Sequence, residues 1–309
     1  MIFSAISDLV LDIYYDENLK YIGCDGGISS LNIVCNLASY GFNSKCYGVC
    51  GNDQYGHLAL KSLKECKVKT DVDMSNLIKT RAYHIRKVME NNKYCFRSIK
   101  YCPFCNRSSW YDESYINEKK IISKIKDNEI LIFDNLNNKN QYIINNTKNI
   151  KLCDLGLYDE FNNLSTIRII SKIANNFEIL NLNQRVEKYF LERFKLDNDI
   201  ELYKKFNCKL LIITRGKKGL DLVYRNKIYS YPLKEISNEI DDSGAGDILF
   251  STIIKNWALN NYKLSSLKFN NWVNEGMTNA SKIVTLIGSR SLIKDLYKNR
   301  IIKNCNCKK

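Results

Sequence analysis

Short apolar runs alternate with helix-period or polar segments along most of this chain, and that rhythm limits what it can fold into. FSAI near the start is followed by SLNIVCNLASYG, KCYGVCG and GHLALKSLKEC. Further on, EILIFD, NIKLCDLG, NFEILNLN and CKLLIITRG each precede a polar or helical stretch. Alternation of this kind predicts an α/β fold, a doubly wound and mostly parallel sheet with helices on both faces. The 309 residues, 45% of them hydrophobic, suffice for one large core. The chain has only two prolines, Pro103 and Pro232, and no Gly/Ser-rich linker. Residues 1–309 are therefore expected to form a single domain.

Two stretches, roughly 11–25 and 80–102, break the rhythm. They are rich in tyrosine and β-branched residues and hairpin-like, with ENNKY (Glu90 to Tyr94) as a turn. Together they predict a small β layer beside the main sheet; two extra edge strands are the plainer alternative. Ligands of open α/β sheets bind at the carboxyl ends of the strands, where such a layer would serve as a lid. A lid with exposed strand edges also invites pairing, hence a homodimer through it.

Composition narrows the function. The net charge of +14 comes from lysines scattered along the whole chain, with no dense basic run carrying interleaved aromatics, so nucleic acid is not the expected partner. No apolar run approaches a membrane span. MIFSAISDLVLDIYYDE carries no basic leader and meets Asp8 and Asp12 early, which reads as a first strand. Twelve cysteines without a secretory signal predict reduced thiols, many of them buried, in a cytoplasmic protein.

The chemistry concentrates in IDDSGAGDILF, residues 240–250. Gly244 and Gly246 free the backbone to present successive N–H groups, and the segment from Ile248 to Leu259 fits a helix starting there. A glycine turn at a helix N-terminus is an anion hole suited to phosphate. Asp247, in the first helical turn, can take a proton from a hydroxyl held nearby; an ordinary N-capping aspartate is the bland alternative. In IITRGKKGLDLVY a strand ends at Thr214 and a turn carries Gly216 and Gly219, which is either a second phosphate cradle or a simple β-turn. The G-x-x-x-x-G-K-[ST] spacing of a P-loop is absent.

DDSGAGD resembles the C-terminal signature of the ribokinase/PfkB family of carbohydrate kinases, usually D-T-x-G-A-G-D. GGISSLNIVCNLASYG followed by YGVCGNDQYG resembles that family's N-terminal signature, TRGKKG its nucleotide loop, and IGSR the segment that closes over adenine. The resemblance implies an ATP-dependent kinase acting on a sugar or sugar conjugate. Asp247 would be the base, and Gly244, Ala245 and Gly246 the anion hole. Asp12, at the end of the first strand, would hold acceptor hydroxyls with Gly27 and Asn32. Asn183, Thr214, Gly216, Gly219 and Gly288 would line the nucleotide. Tyr14, Tyr83, Ile85, Lys87 and Arg97 of the lid would set acceptor choice. Mg2+ would bridge the phosphates mainly through water.

The match has gaps. Ser7 replaces a glycine of the first strand, and the spacer from Gly27 to Asn32 is one residue longer than usual. Asp242 brings an extra negative charge toward the triphosphate path, which requires Mg2+ or a cationic side chain to offset it. The family's N-x-x-E motif should begin at Asn183, but three residues on is Val186. Glu187, one further, is the remaining carboxylate for Mg2+. The connection between Asp12 and the Gly-Gly pair looks somewhat like the fructosamine kinase branch. A nucleoside kinase shares every motif above, and a catalytically weak sugar- or nucleotide-binding regulator is the reading from another class.

Cys102-x-x-Cys105, with Pro103 between, and Cys305 and Cys307 in the tail could together close a tetrahedral Zn2+ site; unliganded thiols are the alternative. With only His57 and His84 available, no histidine-based triad can be built.

Overall fold

A computed structural model of the chain describes residues 1–90, 93–99, 101–107, 114–155, 164–233, 238–298 and 305. The apolar runs form the spine of one nine-stranded sheet. Its strands are β1 (Ile2–Asp8), β4 (Ser44–Gly51), β5 (Lys69–Ser75), β8 (Glu129–Phe133), β9 (Ile150–Leu155), β10 (Ile179–Asn183), β11 (Leu210–Thr214), β12 (Leu220–Tyr224) and β13 (Lys227–Tyr231). The spatial order is β13-β12-β11-β10-β9-β8-β1-β4-β5. Pairing is parallel from β5 through to β11 and antiparallel for the last two strands.

Helices cover both faces, as two-sided burial of the strands demands. On one face α1 (Ser29–Ser39), α2 (Gln54–Glu65), α8 (Ala245–Leu259) and α9 (Ser266–Ile283) share a core with Phe3, Ala5, Ile130, Ile132 and Ile212. On the other, α3 (Glu118–Ile122), α4 (Asn138–Asn145), α5 (Leu164–Ile173), α6 (Gln184–Phe194) and α7 (Asp199–Phe206) pack on Ile6, Leu131, Phe133 and Leu211. Alternate residues of one strand thus enter opposite cores, the period-2 consequence of the pleat. Trp257 and Trp272 are buried packing residues, as their helical setting suggests.

The two irregular stretches form a separate four-stranded sheet, β3-β2-β6-β7, made of β2 (Val10–Tyr15), β3 (Tyr21–Gly26), β6 (Arg81–Glu90) and β7 (Lys93–Ile99). The hairpin expected around ENNKY is present, with Glu90 opposite Lys93; residues 91 and 92 lie outside the described residues. Only Leu9 separates β1 from β2, so the small sheet begins where the carboxyl end of β1 stops. Asp12 does not end the first strand: β1 stops at Asp8, and Asp12 lies within β2, paired across to Asp25 and Tyr83. The apolar run is continuous through LVLDIYY, so periodicity alone could not show where one sheet gives way to the other.

Candidate active site

The helix expected after the glycine turn is α8, and Gly244 is its N-cap, with φ +80°. A Cβ at Gly244 would lie 2.7 Å from Ser289 Cα, so glycine is required both by conformation and by space. At Gly246 a Cβ would meet nothing within 4 Å. Ala245, Gly246 and Asp247 line a cavity of about 840 Å³ at the carboxyl ends of β9, β10 and β11. No side chain among the described residues caps α8, which leaves its positive end toward that cavity.

Thr214, Gly216, Gly219 and Asn183 line the same cavity. Gly219, at φ +96°, lets the turn pass against the next strands; a Cβ there would sit 2.0 Å from the Tyr231 carbonyl oxygen. Leu220, Leu233, Met277, Ala280 and Val284 give one part of the wall an apolar character, and Asp154, Asn181 and Arg215 give another part polar groups.

Asp247 is buried, and its Oδ2 accepts a 2.7 Å hydrogen bond from Asn32 Nδ2. Asn32 Oδ1 in turn accepts from Arg290 Nε at 2.9 Å. The Arg290 guanidinium is 1% exposed, and it also donates to Ser62 Oγ at 2.7 Å and to the Gly27 carbonyl at 3.2 Å. Gly27 lies so close to Asp12 that a Cβ would be 2.1 Å from its Oδ1. Asp12, Gly27, Asn32 and Asp247, chosen from segments far apart in sequence, therefore form one cluster, with Arg290 at its back.

Burial dominates the electrostatics. It raises the Asp12 carboxyl to about 7; Arg290 opposes the shift, and Asp25, Asp241 and Asp247 add to it. It raises Asp247 to about 6, against hydrogen bonds from Asn32 and Ser29. Asp154, at the end of β9, is raised to about 8 by burial and by the charge of Asp247, while the 2.8 Å bond from Asn181 Nδ2 lowers it. A fixed guanidinium among so many carboxylates keeps a buried acidic site from neutralising itself altogether.

The structure also shows what faces Asp242. Its carboxylate is 3.2 Å from Arg97 Nη1 of β7, and Arg97 also pairs with Glu90 at 2.9 Å. The extra acid in the glycine motif is thus countered by a cation from the small sheet. Asp241 points the other way: it is buried and accepts from the Ser243 and Gly288 N–H groups at 2.9 and 2.8 Å.

Two further expected residues, Gly288 and Glu187, do not line this cavity. Gly288, at φ +102°, is absent from the cavity wall and ties its segment to Asp241. Glu187 is also outside the cavity wall, 3.7 Å from Arg215, which bonds Asp199 at 2.6 Å as well. Burial and a hydrogen bond with Asp199 raise Glu187 to about 7. Among the lid residues, Tyr14 and Ile85 are buried with Phe96 in the small sheet's own core, and Lys87 pairs with Glu17. His84 is buried, with Nδ1 3.0 Å from the Tyr15 hydroxyl, and burial lowers it to about 4, so it stays neutral.

Sequence reasoning missed Arg290, Asp154 and Asn181. IGSR drew attention to its glycine, although its arginine is the part that reaches the site. Asp154 and Asn181 are buried polar residues in mostly apolar strands, a local signal that could have marked them.

A mostly parallel nine-stranded sheet with helices on both faces and a separate small sheet is the ribokinase-like fold of the solved structures that this chain resembles. The pfkB family carbohydrate kinase profile matches residues 26–275, and the chain belongs to that family. It is 24% identical over 318 aligned positions to an uncharacterized sugar kinase of Buchnera aphidicola, covering 93% of this chain and 92% of the relative. A ribokinase from Thermotoga maritima superposes with a TM-score of 0.70 at 18% identity, over 94% of this chain and 95% of the other. A fructokinase with bound ATP from Xylella fastidiosa gives 0.75 at 14% identity, over 94% of each chain. The protein is a sugar kinase of this family, a phosphotransferase acting on a sugar hydroxyl. No helix among the described residues is long and apolar enough to cross a membrane.

Proposed function

We propose that the chain transfers the γ-phosphoryl group of ATP to a hydroxyl of a sugar or sugar conjugate, with Asp247 as general base. The 2.7 Å bond between Asn32 and Asp247 carries this reading, because it joins the acceptor cluster to the residue that lines the cavity. A hydroxyl held by Asp12 and Asn32 would give up its proton to Asp247 as it attacks. The N-terminus of α8 would face charge developing on the transferred phosphoryl, where one lost donor costs about 2.7–4 kcal/mol. The apolar wall around Leu220, Leu233 and Met277 suits a base, and the turn carrying Thr214, Gly216 and Gly219 suits phosphates. The small sheet would act as the lid of this single domain, with Arg97 offsetting Asp242.

Mg2+ fits the residues present. Asp154 and Asp247 line one cavity; burial raises both carboxyls and the charge of Asp247 raises Asp154 further, an arrangement that a hard cation with its waters relieves. Bound with ATP, the ion would neutralise phosphate charge. Glu187, 3.7 Å from Arg215, would reach the ion only through water. The nucleotide is bound partly by backbone and the acceptor by side chains, so acceptor identity rests with the Asp12 cluster.

ADP release with Mg-ATP across pentoses, hexoses, fructosamines and nucleosides tests this directly. One acceptor class should turn over, and Asp247→Asn should lower its kcat by about 10²–10⁴. Turnover surviving in Asp247→Asn would remove the base from the reading, and turnover confined to nucleosides would replace the acceptor class.

A further inference from the structure

We propose that Cys102, Cys105 and Cys305 bind a Zn2+ ion that ties the C-terminal tail to the small sheet. The three sulfur atoms all lie within 4.8 Å of one another, although 200 residues separate Cys105 from Cys305. Three thiolates on a tetrahedral zinc with Zn–S bonds near 2.3 Å would stand about 3.8 Å apart, a contraction of about an ångström.

The loop after β7 is shaped to present two of them. Cys102 N–H donates to the Arg107 carbonyl at 2.8 Å, and the Cys102 carbonyl accepts from Asn106 N–H at 2.9 Å. Asn106 takes the left-handed conformation, at φ +55°, that lets so short a loop close on itself. The Phe104 ring between the thiols packs against Tyr15 at the end of β2, with centroids 6.3 Å apart. The loop is thereby anchored on the small sheet.

The tail arrives from the other edge. Tyr297 pairs with Cys24 of β3, donating at 2.9 Å and accepting at 3.4 Å, and its carbonyl also accepts from the Tyr21 hydroxyl at 2.6 Å. Eight residues later Cys305 stands beside the Cys102 loop. A metal bridge at that point would tie Cys305 to the loop anchored on the sheet whose strands carry Asp12 and Arg97.

The ligand chemistry selects the ion. Soft thiolates suit zinc and discriminate against Mg2+ and Ca2+. Cys102 is buried, Cys305 half-buried and Cys105 exposed, so the group has a dry side and a side open for entry. None of the described cysteines is in a disulfide. Cys307, also expected as a ligand from its spacing, lies outside the described residues.

The experiment uses full-length protein purified under reducing conditions, supplied with Zn2+ and passed over a desalting column with a weak chelator. Metal content by mass spectrometry should be about one zinc per chain, and Co2+ loading should give a thiolate-to-cobalt absorption band. Cys105→Ser and Cys305→Ser change accessible positions and should fold. Each should weaken zinc binding by more than the roughly 10–100-fold that loss of an outer-shell partner causes, and remove the cobalt band. Wild-type protein that keeps no zinc, or variants that keep it as well as wild type, would overturn the proposal. So would a Cys102–Cys105 disulfide in the purified protein.

Discussion

On the cavity side of Asp247 the proposed phosphate cradle is built from backbone, the open N-terminus of α8 and the turns at Gly216 and Gly219, with Asp154, Asn181 and Arg215 adding polar side chains to the wall. On the other side they are buried side chains, Asp12, Asn32 and the Arg290 guanidinium behind them. The first kind of site depends on conformation and tolerates most side-chain changes that leave it free to form. The second depends on exact pairing of charges in a dry interior, where removing one partner strands the rest.

Replacing Arg290 should therefore have the largest effect of any change outside the base. Arg290→Met would leave Asn32 Oδ1, Ser62 Oγ and the Gly27 carbonyl without the Arg290 donor and take from Asp12 and Asp247 the cation that lowers their carboxyls. An unfolding free energy lower by about 3–5 kcal/mol in denaturant titration is expected. Arg290→Lys keeps the charge but not the three-way fork, so it should recover part of the stability and little of the turnover. A Met variant as stable as wild type would mean the cluster is not held as described.

A smaller pair of effects separates fold from binding within one motif. Gly244→Ala meets Ser289 and a left-handed φ, and should cost on the order of 1–3 kcal/mol of stability. Gly246→Ala has open space and a helical setting, and should be neutral or stabilising by about 0.5–1 kcal/mol. Its methyl would nevertheless occupy the cavity beside Asp247, so KM for ATP should rise while the melting temperature does not fall. Equal loss of stability in both variants would blur the contrast between scaffold and site.

The same division explains what could be read before the structure. Glycine spacings encode backbone conformation locally, so the α8 turn with Asp247 and the Thr214–Gly219 loop were legible, while the hairpin of the small sheet showed in its tyrosine- and β-branched-rich flanks and the ENNKY turn. The alternating apolar runs likewise gave the parallel sheet. Arg290 was not, because its meaning comes from Asn32, 258 positions away. Asp154 and Asn181 were hidden for a related reason: their role follows from adjacent strands ending at one cavity, a fact of topology. Asp12 was identified but assigned to the wrong strand, since both sheets read as apolar there. The partner of Asp242 required a long-range contact too, although Arg97 stood out as a residue of the small sheet.

If Asp247 is a buried base poised by its neighbours, the pH dependence of kcat/KM for the acceptor shows it most directly. Only the deprotonated carboxylate can accept a proton, and burial raises it to about 6, so activity should rise with pH through an acid limb near that value and level off above it. Asp12 titrates nearby, at about 7. The limb should therefore persist in the residual activity of Asp12→Asn if Asp247 is the base. A profile flat down to pH 4.5, or a limb that disappears in Asp12→Asn, would contradict the account.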